Sequence, residues 1–184
     1  MKYFITADTH FGHTNIIRYC GRPYSDLEAM DKALIRNWNE RVMPEDTIFI
    51  LGDFCFKNTK EDKERYGANT KSLYYQNALN GDKVFLRGNH DDKQSTRTLI
   101  HSFTFDYGGY RINCVHNPAD ADAGYEINFV GHIHQNWLIR MFNGSILYNV
   151  GVDLHNYMPI TIDEALNDIK KIKKNTKIET ITFY

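Results

Sequence analysis

Residues 84–91 read Val-Phe-Leu-Arg-Gly-Asn-His-Asp. A short run of branched and aromatic side chains stops at glycine and is followed by an amide, an imidazole and a carboxylate, the pattern of a buried strand ending in a polar loop. The same pattern recurs along the chain. Residues 3–7 are followed by Asp8 and His10, and residues 47–51 by Gly52 and Asp53. Residues 112–115 are followed by His116, and residues 127–130 by Gly131, His132 and His134. Five strand-like runs therefore end in side chains able to hold a metal. In α/β sheets ligands bind in the crevice beyond the carboxyl ends of the strands, so these endings meet in one pocket if most of those strands run parallel.

Between the early runs the apolar period changes to that of a helix. Ser25 followed by Glu28 predicts a capping box, and Leu27, Met30, Leu34, Trp38 and Val42 recur behind it at helical spacing. A second helix is predicted over residues 61–79. A third starts near Thr161, with Glu164 completing its cap and Ala165, Leu166 and Ile169 on its apolar stripe. Gly108 with Gly109 predicts a hairpin from residues 103–105 into 110–115, and Asn143 with Gly144 joins 137–142 to 145–150. Strands alternating with helices and then hairpins describe a mixed α/β chain, its sheets packed against outer helices.

The 184 residues, 42% hydrophobic, are enough for one domain spanning 1–184 with a core of its own. No repeat or Pro/Gly/Ser linker divides them. With 22 Lys plus Arg against 23 Asp plus Glu, the formal charge of −1 argues against a stable complex that coats nucleic acid. Lys170, Lys171, Lys173, Lys174 and Lys177 fall among apolar residues at helical spacing and read as a solvated helix face. Cys20, Cys55 and Cys114 form no CxxC pair, which suits reduced thiols and a cytoplasmic location. No apolar run is long enough for a membrane span, and the N-terminal run is too short for a signal peptide.

Five of the eight histidines lie in the strand endings. The one-residue spacing in Asp8-Thr9-His10 and His132-Ile133-His134 lets both side chains reach one side of an extended or tightly turned backbone, whereas on a helix they diverge. Imidazole and carboxylate with one amide oxygen and no thiolate suit Mn²⁺, Fe, Zn²⁺ or Ni²⁺, unlike a cysteine zinc knuckle. The candidates, Asp8, His10, Asp53, Asn89, His116, His132 and His134, are too many for one ion. They suit two ions sharing a carboxylate, an arrangement that clamps a phosphoester and generates hydroxide near neutral pH.

Taken in order, Asp8–His10, Gly52–Asp53, Gly88–Asp91, His116 and Gly131–His134 resemble the DxH, GD, GNH[DE], H and GHxH blocks of the calcineurin-like metallophosphoesterases. Residues 9–15, Arg22 with Pro23, and residues 149–153 resemble a small bacterial and phage branch of that family. The resemblance implies a four-layer α/β/β/α sandwich of two mixed sheets. It implies one divalent ion on Asp8, His10, Asp53 and His134, a second on Asp53, Asn89, His116 and His132, and manganese as the first choice of metal. It further implies that His90 faces the leaving-group oxygen and that Asp91 orients it. The two cations outweigh the charges of Asp8, Asp53 and a hydroxide, so an anionic phosphoester is drawn in.

The expected reaction is therefore hydrolysis of a phosphodiester, nucleotide or nucleic-acid derived, by hydroxide attack on phosphorus. A phosphomonoesterase or protein-phosphatase-like enzyme is the alternative, and a non-catalytic interaction scaffold a further one. His13 and Arg22 are candidates to contact substrate phosphate or orient His10, and equally to hold the loop together, whereas Asn15 and Arg18 read as loop residues. Arg87 faces either the cleft or the far side of its sheet. Phe11, Tyr19, Phe54 and Phe56 are candidates for base stacking or for core. Cys55 and Cys114 read as packing residues, His101 and His155 as structural.

Overall fold

Alternate residues of the first two strands point into two different cores. The computed structural model describes residues 1–57, 59, 62, 64, 71–91, 96 and 98–183. In β1 (Tyr3–Thr6) and β2 (Thr47–Leu51), Phe4, Ile48 and Ile50 enter one apolar cluster, while Ile5, Phe49 and Leu51 enter the other. A strand buried on both faces needs apolar residues throughout, which is why these runs show no polar alternation.

The first cluster is closed by helices. α1 (Thr14–Tyr19) supplies Ile16, α2 (Leu27–Asn39) supplies Met30, Leu34 and Trp38, and α3 (Lys71–Ala78) supplies Tyr75. The cap of α2 sits one residue later than the sequence pattern predicts. Asp26, not Ser25, accepts from Ala29 N, and Ser25 Oγ donates to the Asp26 carboxylate. A carboxylate at the N-cap satisfies an orphan N–H and also meets the positive end of the helix dipole, so it outcompetes the neighbouring hydroxyl. Of the helix predicted over 61–79, Lys71–Ala78 is observed as α3, and most of residues 61–70 lie outside the described residues.

The second cluster lies between the sheets. One sheet has the order β3-β2-β1-β9, with β3 (Asp82–Leu86) parallel to β2, β2 to β1, and β9 (Ile160–Thr161) antiparallel at the edge. The other comprises β4 (Ser102–Tyr107), β5 (Tyr110–Val115), β6 (Ile127–Val130), β7 (Ile139–Phe142) and β8 (Ser145–Asn149). Its order is β4-β5-β6-β8-β7, with β5, β6 and β8 parallel. Both predicted hairpins form. Gly108 and Gly109 link Tyr107 to Tyr110, Asn143 and Gly144 link Phe142 to Ser145, and all four turn residues have positive φ, as two-residue hairpin turns require. α4 (Ile162–Asn175) carries the predicted Thr161/Glu164 capping box and packs Ile162, Ala165, Leu166 and Ile169 onto the inter-sheet core, its lysines exposed. The result is two mixed sheets with flanking helices. Among the described residues no helix is long and apolar enough to cross a membrane.

Six parallel strands, three per sheet, thus deliver their carboxyl ends to the molecule's one rim. The sheets are stitched together there. Ala7, just beyond β1, bridges in parallel to Gly151, just beyond β8, and Val152 N donates to Ala7 O at 3.1 Å.

Candidate metal centre

At that rim the backbone turns sharply under the predicted ligands. Asp8, His10, Asp53, His132 and His134 all have φ between 49° and 74°, the left-handed region. Among the described non-glycine residues only Asn143, Asn156 and Tyr157 share it. Each such residue costs on the order of 1 kcal/mol and persists only where its surroundings over-determine it. Here they do. Asp8 N donates to Gly52 O at 3.1 Å, His10 N to Asp53 O at 2.9 Å and Phe11 N to Phe54 O at 2.9 Å, zipping the loop after β1 to the loop after β2. The left-handed turns at Asp8 and His10, and again at His132 and His134, bring the paired side chains of each block into the cluster.

Two glycines permit the close approach. A side chain at Gly88 would collide with the Asp53 backbone and carboxylate. One at Gly52, already at φ +85°, would meet His116 Nδ1 at 2.5 Å and Gly88 Cα at 2.6 Å. The GD and GNHD blocks are therefore one packed unit, and Asp91 locks it. Its carboxylate accepts from Asp53 N at 2.8 Å, Gly88 N at 2.9 Å and Phe54 N at 3.3 Å. The sequence reading has Asp91 orienting His90; the observed work of its carboxylate includes accepting from these backbone amides, three buried N–H groups that the loops after β2 and after β3 leave to satisfy.

The ligand atoms predicted from the sequence fall into two groups, and Cys20 and Asp153 form a further one around His134. Those of Asp8, His10 and His134 lie within 4.8 Å of one another, as do those of Asp53, His116 and His132. Asn89 Oδ1 joins the second group, 2.9 Å from His116 Nε2 and 2.8 Å from His132 Nδ1. Asp53 Oδ2 stands between the groups, 3.6 Å from His10 Nε2 and 3.4 Å from His116 Nε2. The two Asn89 spacings are hydrogen-bond lengths, whereas Asp53 Oδ2 stands too far from either ring nitrogen for a good hydrogen bond and close to the ~3.0–3.4 Å that separates ligand atoms sharing an ion at bonds of about 2.1 Å.

Protonation tests whether cations fit. The Leu51 carbonyl can only accept, so His116 Nδ1 donates to it at 2.7 Å and Nε2 carries the lone pair of the neutral ring. That lone pair faces the oxygens of Asn89 and Asp53, which is repulsive unless a proton or a cation lies between. Without a cation the ring holds a proton: burial alone would lower its pKa, but Asp53 and the charge of Asp8 raise it to about 9. His134 behaves alike. Burial opposes its charge, yet the hydrogen bond to Asp153, 2.8 Å from Nδ1, takes it to about 10. Burial pushes Asp8 up to about 6 and holds His10 well below its ordinary value. Burial also opposes ionisation of Asp53, but His116 and His10 hold it below the usual carboxylate range. Asp8 Oδ1 and both ring nitrogens of His10 are buried with no hydrogen-bond partner among the described residues. Orphaned buried lone pairs are costly, and divalent cations would satisfy them, so the donor set fits metal ions.

Around this cluster the other predicted residues divide. His90 is exposed, its ring 5.5 Å from that of His10, and its N–H donates to Asp53 Oδ1 at 2.8 Å. It lines a cleft of about 400 Å³ together with His13, Tyr19, His132 and His134. His13 caps α1 by accepting from Ile16 N at 3.0 Å and packs 3.9 Å from the Phe56 ring. Of the two readings of Arg22, substrate contact and holding the loop together, its contacts fit the second. Its fully buried guanidinium pairs with both oxygens of Asp153, at 2.8 and 3.0 Å, and donates to the carbonyls of Asp8 at 2.7 Å and Thr9 at 2.9 Å. A buried cation must be fully paired, and these bonds make it a brace between the DxH loop and His134. Phe11 and Phe54 are core; Tyr19 stays exposed at the cleft mouth.

Asp153 itself is absent from the sequence prediction, as is the role of Asn149, whose Nδ2 donates to His134 O at 2.7 Å and Trp137 O at 3.0 Å. Asn149 ends β8 and Asp153 lies just beyond it. The signal available was the resemblance over residues 149–153, which carries no chemistry without the contact to His134.

Imidazoles and carboxylates paired in this way at the strand ends of two mixed sheets define a metal-dependent phosphoesterase. The chain belongs to the calcineurin-like phosphoesterase family, which it matches over residues 1–182, and is accordingly a phosphoric ester hydrolase whose family works with divalent metal ions. An uncharacterised protein of Methanocaldococcus jannaschii, MJ1445, is 37% identical over 190 residues, spanning 98% of this chain and 96% of the archaeal one. The gene 66 protein of Mycobacterium phage L5 is 27% identical over 104 residues, 56% of this chain and 46% of the phage protein. Among solved structures, the Aquifex aeolicus protein AQ665, of unknown function, shares the fold at a TM-score of 0.66 and 24% identity, over 93% of this chain and 98% of that one.

Proposed function

We propose that this chain hydrolyses a phosphodiester at a pair of divalent cations, manganese being the first candidate. The observation that carries the reading is the position of Asp53 Oδ2 between His10 of one ligand group and His116 of the other, where one carboxylate would serve both ions. Asp8, His10, Asp53 and His134 would hold one cation, and Asp53, Asn89, His116 and His132 the other. Bound there, the cations supply Lewis-acid polarisation of the phosphoryl oxygens and a water-derived nucleophile at neutral pH.

The remaining work falls to the chain. Leu51 O and Asp153 fix the hydrogen on Nδ1 of His116 and His134, so each ring presents its Nε2 lone pair to the centre. His90, exposed above the cluster and tied to it through its backbone N–H, donates from its ring to the departing oxygen. That donation matters most for an alkoxide, the leaving group of a nucleotide diester. His13, beside His90 in the same cleft, keeps its Nε2 for substrate, its Nδ1 being spent on the cap of α1.

The test compares bis-p-nitrophenyl phosphate with p-nitrophenyl phosphate in Mn²⁺ and again after chelation. The proposal expects faster metal-dependent turnover of the diester. Turnover of the monoester alone, or turnover that survives chelation, contradicts it.

A further inference from the structure

A second cleft, of about 290 Å³, is lined by a set of residues separate from those of the His90 cleft. Asn89 and His116 form its inner wall, so it shares ligands with the metal centre, and Arg87, His101, Asn117 and Asp120 complete it. Its donors are unspent. Arg87 is tied down through its backbone, donating from N to Ile100 O at 2.8 Å, while its guanidinium makes no hydrogen bond or ion pair to the described residues. Asn117 Oδ1 accepts from Ala119 N at 3.0 Å, leaving Nδ2 free of any bond to them, and the exposed ring of His101 is likewise unpaired among them. Among the described residues lining it, Asp120 is the one carboxylate, and it forms no ion pair with Arg87. Contrast Arg22, whose donors are consumed by Asp153 and two carbonyls. A guanidinium held beside a phosphoester site with its fork empty is suited to a planar, bidentate grip on a further phosphate.

We propose that Arg87, with Asn117 and His101, binds a second phosphate of the substrate, one nucleoside removed from the phosphate at the metal centre. The inference rests on the phosphodiester reading and narrows it: the substrate class is a nucleotide carrying a neighbouring phosphate. The scissile phosphate lies over the cations, its leaving group exits past His90, and the chain continues the other way into the Arg87 cleft. That second phosphate comes either from a nucleoside bisphosphate or from the next linkage of an oligonucleotide; the chemistry read by Arg87 is common to both.

Calorimetric titration of the Mn²⁺-loaded protein with thymidine 5′-phosphate and thymidine 3′,5′-bisphosphate reads the subsite without relying on turnover. The wild type should bind the bisphosphate about tenfold tighter or more, the usual scale of a charge-assisted bond. Within Arg87→Ala the ratio should fall to near one, Arg87→Lys should retain part of it, and Asp120→Asn, which removes the opposing charge, should raise it. A ratio near one in the wild type, or an equal ratio in wild type and Arg87→Ala, overturns the proposal. The dinucleotide pdTdT separates the sources: affinity equal to the bisphosphate points to an oligonucleotide, affinity equal to the monophosphate to a small bisphosphate. Wild-type turnover of bis-p-nitrophenyl phosphate, which has no second phosphate, is measured alongside. If it persists while the ratio is near one, the subsite fails and the diesterase stands; if it is absent, the diesterase reading fails.

Discussion

Replacing Asp153 with asparagine removes one charge and one acceptor from the brace behind the metal centre. In the native protein Oδ1 accepts from Arg22 Nε at 2.8 Å, while Oδ2 accepts from Arg22 Nη2 at 3.0 Å and His134 Nδ1 at 2.8 Å. An amide has one oxygen, so its NH₂ must face a donor on one side. The Arg22 guanidinium, fully buried, is left without its counter-charge. Breaking such a pair costs about 3–5 kcal/mol, and because Arg22 keeps its bonds to Asp8 O and Thr9 O the lower end, about 3 kcal/mol, is expected in the metal-free protein. Releasing His134 from its carboxylate should weaken metal binding about 10–100-fold. That loss also reduces the stabilisation by a fixed excess of Mn²⁺ by about 1.4–2.7 kcal/mol. Urea unfolding with and without Mn²⁺, together with calorimetry of Mn²⁺ binding, measures both. The double change Arg22→Met/Asp153→Leu should be less destabilising than Asp153→Asn, since it leaves no buried charge. If Asp153→Asn unfolds within 0.5 kcal/mol (about the scatter of a neutral surface change) of the wild type and binds Mn²⁺ equally well, the brace has been misread.

Other perturbations act on other parts of the centre. His116 and His134 have folded pKa values of about 9 and 10 against an ordinary 6.5, so the metal-free protein carries a stabilisation that is complete below about 6.5 and lost as pH rises through 9 to 10. Asp8, raised from 3.8 to about 6, adds a loss of the same sign between those values. Above pH 6.5, beyond the window in which the lowered pKa values of His10, His13, His132 and His155 act in the opposite sense, stability measured by urea titration should therefore fall with pH in the metal-free protein and flatten once Mn²⁺ replaces the ring protons; a flat metal-free profile there contradicts the assigned partners. Calorimetry of Mn²⁺ binding at pH 7.5 in buffers of different ionisation enthalpy should show protons released, and finding none would argue that the rings are not the ligands. His90→Ala should keep its Mn²⁺ content by elemental analysis yet lose about 10²–10⁴-fold in turnover of an alkyl diester, and normal turnover refutes the donor role. Gly88→Ala forces a methyl into Asp53 and should lower Mn²⁺ affinity more than Ala119→Gly, an exposed control.

The strands were legible because β1, β2, β5 and β6 are largely buried and rich in branched and aromatic side chains, and their endings carry chemically distinctive residues. Both hairpins were legible because Gly108-Gly109 and Asn143-Gly144 encode the positive φ values observed. What the sequence hides is pairing. Nothing in the order of residues shows that Ala7 bridges Gly151, which joins the two sheets at the rim. The role of Arg22 depends on Asp153, 131 positions away, and an arginine destined for a buried ion pair reads the same as one destined for substrate phosphate. Asp91 was similarly ambiguous, because the backbone amides that claim it exist only once β2 and β3 lie side by side. The empty fork of Arg87 became visible only beside a cleft lined by Asn89 and His116.

The account stands on two cations held by side chains drawn from both sheets. An anomalous-difference map from crystals soaked in Mn²⁺ tests it directly. The prediction is a pair of peaks, one among Asp8, His10 and His134 and the other among Asp53, Asn89, His116 and His132, with the Asp53 carboxylate reaching both. A single peak, or density away from these residues, would contradict it.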